Sequence, residues 1–320
     1  MLFSIIIPVH NASETIDRCV GSIAAQSNGN LEILLIENGS IDDSYDKCVC
    51  LAQRYNCVHL FRTTEKGVSN ARNIGLDKCK GDYIGFCDAD DIMENNLVSR
   101  MVDIIKEFEP DIVINGFYVI DGEKRNERRL MKKGFIDKDE LQRRTLNDQR
   151  IMGSVWNRLY KRKEIENIRF CKDLTHCEDT FFNMQVLDAD KYGKYYYNNE
   201  CLYNYIINKN GATNDIDALF DDRGRLKYLF ALNKILKECA ITNRTKREVM
   251  YSCARLALEN LEGFRPTGIR ERSLIKVIDR CLLYYLVIFP KYYNSDSYKN
   301  ILKMILWYMR RKIRMIIKAH

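Results

Sequence analysis

The sequence predicts an α/β fold, with a mostly parallel central sheet flanked by helices and a helical C-terminal region after it. Three observations predict this. Up to Asn115, short apolar runs alternate with stretches of helical apolar spacing, the pattern of successive βαβ units. Polar clusters follow three of those runs directly, at His10-Asn11, Glu37-Asn38 and Asp88 to Asp91. Ligands of parallel sheets bind beyond the carboxyl ends of the strands, where these clusters fall. After about Asp215 the apolar pattern is helical throughout.

The elements follow in order. Ser4-Ile5-Ile6-Ile7-Pro8-Val9 is a β-branched run closed by a proline, a buried strand. From Ala12 to Gln26, Ile16, Cys19, Val20 and Ile23 recur at helical spacing, with Ser13 and Glu14 at the cap and first turn. Leu31 to Ile36 is a second strand, broken by the turn Glu37-Asn38-Gly39-Ser40. A helix is expected from Asp42 to Tyr55, a strand from Val58 to Phe61, a helix from Asn70 to Lys78 and a strand from Tyr83 to Cys87. Ile112 to Asn115 is a further strand. Residues 121–150 are polar and basic and are expected as a surface loop with a helix. Glu178 to Asp188 is a helix. The change of pattern puts a boundary between residues 1–214 and a helical region over 215–320.

Composition narrows the class. With 46% hydrophobic and 30% charged residues, the chain is globular and not disordered or fibrous. The N-terminus has no basic n-region and meets Pro8 early, so it reads as a strand and not a leader. The 12 cysteines mostly lack ligand spacing and read as reduced thiols of a cytoplasmic protein. Four histidines with no pair at helical spacing argue against zinc. The net charge of +7 is uneven: Arg265 to His320 holds thirteen Lys and Arg against three acids.

That tail carries an apolar run from Cys281 to Phe289, far short of the roughly 20 residues a membrane helix needs. Beyond it, Ile301, Ile305, Met309, Ile313 and Ile316 form a stripe opposed by Lys303, Arg310, Arg314 and Lys318. This fits a helix lying on an anionic membrane surface, peripheral on its inner face. A basic helix packed on the chain's own body, or on a second copy in a homodimer, is the competing reading. Nucleic acid is not expected as a partner, because no recognised module is present.

The densest chemistry is Asp88-x-Asp90-Asp91. Carboxylates one residue apart on a turn after a buried strand can share a hard cation, Mn²⁺ or Mg²⁺, that bridges to a diphosphate. The competing reading is that these acids cap a helix starting near Met93. A calcium loop is excluded because its sixth position, which requires glycine, is Met93. Glu178-Asp179 reads either as first-turn acids on a helix dipole or as a pair carrying a catalytic carboxylate. Arg72 reads either as a surface charge or as a site residue, and Trp156 as a core aromatic or a ligand platform. His176, just before the acid pair, either assists it or is structural.

Five segments together resemble the family 2 glycosyltransferases, whose fold is of the glycosyltransferase-A type. They are Ser4-Ile5-Ile6-Ile7-Pro8-Val9-His10-Asn11, Ile36 to Ser44, Gly67-Val68-Ser69-Asn70-Ala71-Arg72-Asn73-Ile74-Gly75, Gly81 to Asp91, and Glu178-Asp179-Thr180-Phe181-Phe182-Asn183. Trp156-Asn157-Arg158-Leu159-Tyr160 is a further recurring element. The resemblance covers residues 4–183 and implies a metal-dependent, inverting transfer of sugar from a nucleotide-sugar, uridine-type, to a glycan or lipid-linked acceptor hydroxyl. Enzymes of capsule, exopolysaccharide and lipopolysaccharide assembly are of this kind.

The resemblance also implies roles. Pro8, Val9, His10, Asn11, Glu14, Asn38, Arg72, Asp88 and Ala89 would bind the nucleotide-sugar. Asp90, with Asp88, would hold the metal. Asp179 would be the general base, and Trp156, Asn157 and Glu178 would face acceptor or sugar. Two positions depart from the family. His10 stands where tyrosine is usual, and Asn38 where aspartate is usual. The chemistry agrees: a departing diphosphate needs its charge neutralised, and an attacking hydroxyl needs a proton acceptor. A non-catalytic nucleotide-binding scaffold of the same fold is the alternative; the presence of both Asp90 and Asp179 argues for an enzyme. A dinucleotide dehydrogenase would need Gly-x-Gly-x-x-Gly after the first strand, and Val9 to Ser13 is not that.

Overall fold

Strand β1 (Phe3–Val9) occupies the middle of the sheet and is buried on both faces. Its unbroken run Ile5-Ile6-Ile7 follows from that position. Ile5 and Ile7 point into one apolar cluster and Ile6 into the other, so every side chain gains from burial. A fully buried isoleucine contributes about 1.5–3 kcal/mol over an exposed one. The computed structural model describes residues 1–27, 29–190, 193–208 and 227–246. The expected boundary near residue 214, the run from Cys281 and the amphipathic stripe from Ile301 lie outside the described residues.

After β1 come α1 (Ile16–Ala24), β2 (Leu31–Glu37), α2 (Ser44–Arg54), β3 (Val58–Arg62), α3 (Val68–Lys78) and β4 (Tyr83–Phe86). These match the elements expected from the sequence, with ends moved by a few residues. Then come β5 (Ile92–Met93), α4 (Leu97–Phe108), β6 (Ile112–Asp121), β7 (Lys124–Arg128), β8 (Gly134–Ile136) and α5 (Lys138–Asn147). The described part closes with β9 (Arg158–Lys161), α6 (Arg162–Ile165), α7 (Glu178–Ala189), β10 (Tyr195–Ile206) and α8 (Lys227–Glu238).

The strand order is β3-β2-β1-β4-β9-β6-β10-β5, with β7 beside β6 and β8 beside β10. β3, β2, β1 and β4 are mutually parallel. β9 runs antiparallel to both β4 and β6, which restores β6 and the parallel β10 to the sense of β4. Six of the ten strands therefore share the sense of β1, as the sequence reading expects, while β5, β7, β8 and β9 run against it and make the sheet mixed. Helices α1 and α4 cover one face through Ile16, Val20, Met101 and Ile105. Helices α3, α5 and α7 cover the other through Ala71, Leu141, Phe182 and Val186.

Two sequence expectations change. The helix expected near Met93 begins at Leu97, because Ile92 and Met93 first pair with Asn204 and Tyr203 of β10. Of the loop and helix expected over 121–150, the helix is present as α5, while the loop is a hairpin strand and a short strand. β7 pairs with the end of β6, β8 with the start of β10, and Asp137 caps α5 through Glu140 N. Strand β7 escapes detection because all five of its residues are exposed, so it carries no apolar alternation.

Candidate active site

The carboxyl ends of β1, β2 and β4 open into a cleft of about 1500 Å³. Pro8, Val9, His10 and Asn11 line it from the end of β1, with Glu14 beyond them. Asn38 lines it from β2, Arg72 from α3, and Asp88, Ala89 and Asp90 from the turn after β4. Glu178 and Asp179 enter from the first turn of α7. The structure thus brings these twelve expected site residues into one cavity.

At its centre is Arg72, 4% exposed. Its Nη1 donates to Asp179 Oδ1 at 2.6 Å and Glu178 Oε1 at 2.9 Å, and its Nη2 donates to Asp88 Oδ1 at 3.1 Å. Its guanidinium also stands over the Phe170 ring at 5.3 Å. Burial alone would lower the Arg72 pKa, but the three carboxylates raise it above its ordinary value. The surface-charge reading of Arg72 is therefore wrong. Three acids around one cation leave net negative charge, to which Asp90 adds.

In the Asp88–Asp91 turn, Asp88 and Asp90 line the cleft and Asp91 does not. Burial pushes Asp88 upward, opposed by Arg72. Asp91 is buried away from the cleft: Tyr203 Oη donates to its Oδ2 at 2.6 Å and Ile206 N to its Oδ1 at 2.7 Å. Burial pushes Asp91 up to about 8. Tyr203 Oη also accepts from Asp88 N at 3.2 Å, and Arg18 Nη2 donates to Asp90 O at 3.0 Å. The turn is thus fixed from below, with Asp88 and Asp90 left facing the cavity. Among the described residues, no cluster of three or more His, Cys, Asp and Glu forms a closed metal cage. Two open carboxylates with hard oxygen donors fit a cation that completes its shell from phosphate and water.

Asp179 has its second oxygen on Val155 N at 3.3 Å. Burial pushes its carboxyl up to about 8, with Arg72 pulling the other way. The loop that meets it is held by α7: Asn183 Nδ2 donates to Gly153 O at 2.8 Å and Ser154 O at 3.2 Å. Asn183 Oδ1 accepts from Tyr160 Oη at 2.6 Å.

At the far end, Gly67 has φ +110°, a conformation favouring glycine, and its carbonyl accepts from Asn38 Nδ2 at 3.0 Å. A carbonyl can only accept, so this contact fixes the amide and leaves Asn38 Oδ1 as a buried acceptor with no partner. His10 Nδ1 faces Asn38 O at 3.0 Å and must carry the proton there. Asn11, at φ 49°, donates its N–H to Ser40 Oγ and accepts from Ile41 N. Asp42 binds Ser13 N and Ser44, and these hydrogen bonds hold its pKa below the usual range although burial works against them.

Trp156 and Asn157 are not brought to the cleft. Trp156 stacks on Tyr203 at 4.5 Å and Tyr205 at 5.6 Å, with Phe117 edge-on at 4.8 Å. Asn157 is 1% exposed and donates to Ile151 O at 2.7 Å. Both are structural, Trp156 by bracing the Tyr203 that holds the acidic turn. His176 does line the cleft, beside Cys177 at φ 59°. Its Nδ1 is buried without a partner, and burial, with Lys227, lowers its pKa. Thr145–Gln149 and Met152–Ser154 also form cleft wall, inside the span 121–175 expected from the sequence to shape the pocket, though no single residue of theirs was singled out. They carry no shared motif; α5 brings Thr145 to Asn147 to the cavity, and Asn183 of α7 holds the Gly153–Ser154 stretch there.

Comparison with known proteins agrees with this geometry. EpsJ of Bacillus subtilis (strain 168), an uncharacterised glycosyltransferase, is 30% identical over 66% of this chain and 63% of its own length. The minor teichoic acid biosynthesis protein GgaA of the same organism is 30% identical over 61% of this chain and 47% of its own length. The match therefore spans less than two thirds of either relative. Among solved structures, S. aureus TarS 1-349 in complex with UDP superposes with TM-score 0.67 at 14% identity, over 88% of this chain and 80% of that one. A mannosyltransferase of Pyrobaculum calidifontis in complex with GDP-Man and Mn²⁺ gives 0.58 at 13% identity, over 99% and 84%. At such identities these show a shared fold, of the glycosyltransferase-A type. The family model described as glycosyl transferase family 2 matches residues 4–169, more than half of the sequence, and the chain belongs to glycosyltransferase family 2.

Proposed function

We propose that this protein transfers a sugar from a uridine-type nucleotide-sugar to an acceptor hydroxyl with inversion at the anomeric carbon. The observation that carries the reading is the meeting of Asp88, Glu178 and Asp179 on the single guanidinium of Arg72 inside one cleft. Acids contributed by the turn after β4 and the start of α7 converge there, as a reaction between donor and acceptor requires.

Each residue then has a task. Asn38 Oδ1, its amide spent on Gly67, accepts from the N–H of a pyrimidine imide. Asparagine thereby supplies the acceptor that aspartate would supply. His10, anchored on Asn38 O, borders the same base. Asp88 and Asp90 would hold Mn²⁺ or Mg²⁺, which when bound neutralises charge on the departing diphosphate. Asp179 takes the proton of the acceptor hydroxyl. The hydroxyl oxygen of the acceptor attacks the anomeric carbon from the side opposite the diphosphate, the new C–O bond forms, and the electron pair of the old bond leaves with the diphosphate. Arg72 keeps Asp179 aimed while Val155 N holds the other oxygen.

The complexes of TarS with UDP and with UDP-GlcNAc, and the name of GgaA, support a uridine donor and a cell-surface polymer acceptor. A cytoplasmic protein seated on the inner membrane face through its basic tail fits the same reading. Among the described residues no helix is long and apolar enough to cross a membrane. The test is calorimetric titration of UDP with and without Mn²⁺. UDP should bind more tightly with the metal, and Asp90→Ala should abolish that gain. Equal binding in both conditions by the unmodified protein would remove the metal from the proposal.

A further inference from the structure

The cleft is hostile to anions other than a metal-bound diphosphate. Among the described residues its lining holds seven acids against Lys66 and Arg72, and Arg72 is already engaged by three carboxylates. The surface beside its mouth has the opposite character. Ile207 N donates to Ile120 O at 2.9 Å, and the next residue, Asn208, lines the cleft. The end of β6 and the turn into β7 therefore stand next to the cavity. From there residues 123–133 run over the surface, exposed except at Leu130. They carry six cations, with Glu123 and Glu127 as the acids of the segment and Asp121 just before it.

Strand alternation sorts those cations. Arg125 is committed to Glu94 at 2.6 Å and to the Tyr118 ring at 3.7 Å, and Arg129 to Glu127 at 2.7 Å. Lys124 and Arg128 point to the other face of β7. Lys132 and Lys133 extend the series toward β8. None of these four makes an ion pair with another described residue. Met131 is the one large apolar side chain exposed among them, too little for insertion into a bilayer. The Phe135 ring beyond it packs on Phe108 and Tyr196.

Unpaired cations along one strand, beginning at the mouth of an acid-lined cleft, fit a ligand with an anionic body and an uncharged end. We propose that the free face of β7 docks an acceptor polymer bearing phosphodiester or carboxylate groups along its chain, while its terminal sugar hydroxyl enters the cleft. This rests on the transferase reading of the cleft.

The experiment compares the full chain with a variant carrying Lys124→Gln, Arg128→Gln, Lys132→Gln and Lys133→Gln. The probes are labelled polyphosphate and hyaluronate, with neutral dextran and phosphatidylglycerol vesicles alongside. The unmodified chain should bind at least one polyanion and not dextran, more weakly as salt rises. The variant should bind that polyanion about tenfold less tightly, four exposed charge contacts acting together. Its Tm and its affinity for UDP with Mn²⁺ should be unchanged, since all four residues are exposed and outside the cleft. Equal polyanion binding by both proteins would overturn the proposal and place the charge effect elsewhere in the chain. A loss confined to vesicle binding would overturn it in favour of a bilayer. Failure of UDP with Mn²⁺ to bind the unmodified chain would instead remove the transferase reading on which the inference rests.

Discussion

At the scale of single residues the decisive property is what each polar group has left to offer. Burial has made Asp179, the proposed base, reluctant to ionise, with its carboxyl pushed up to about 8 against the pull of Arg72. A general base works only when deprotonated, so activity should rise with pH toward that value and not saturate near pH 5 as for an ordinary carboxylate. Asp179→Asn should lower transfer by about 10²–10⁴-fold, erase that limb and leave UDP affinity intact. Steady-state rates across pH for both proteins check all three. Asn38 has one free atom, Oδ1, and losing a single hydrogen bond to it costs about 1 kcal/mol. Asn38→Ala should therefore weaken UDP about fivefold to tenfold by calorimetry and narrow the preference for UDP over CDP. Both departures from the family pattern lay open in the sequence; which atom of Asn38 is left without a partner did not, because the answer depends on the Gly67 carbonyl.

At the scale of elements, the site is held by the fit between the loop over 151–155 and the first turn of α7. A Cβ on Gly153 would overlap the side chain of Thr180, one residue after Asp179. Gly153→Ala should therefore push the loop off α7 and disturb the Val155–Asp179 contact, at an overpacking cost of about 1–3 kcal/mol. Transfer should fall more than UDP binding, and Thr180→Ala in the same chain should restore part of it. A double-mutant cycle on turnover measures that coupling, and strictly additive losses would argue against the contact. The early elements were readable because β1, β2 and β4 are buried on both faces and appear as continuous apolar runs. Strand β10 was not, since Asn198, Asn199 and Glu200 interrupt its pattern where the register with β6 shifts.

At the scale of the whole molecule, charge is partitioned. The cleft is acidic, the face of β7 is basic, and thirteen of the 51 Lys and Arg lie from Arg265 onward. If that tail seats the enzyme on an anionic membrane, the full chain should co-sediment with phosphatidylglycerol vesicles and a chain truncated at Lys299 should not. Equal sedimentation would refute the membrane reading. The sequence by itself determined the alternation of strands and helices, the order of the family's motifs, and the identity of the residues at the strand ends. Those are local properties, written in apolar spacing and in side chains that neighbour one another along the chain. Only the tertiary structure decided that Arg72 gathers three acids up to 107 residues away, that Asp91 and Trp156 are structural, and that the residue 145–154 wall closes the cavity. These are long-range contacts, fixed by how β9, β10 and α7 pack against the sheet, and no local pattern in the chain encodes them.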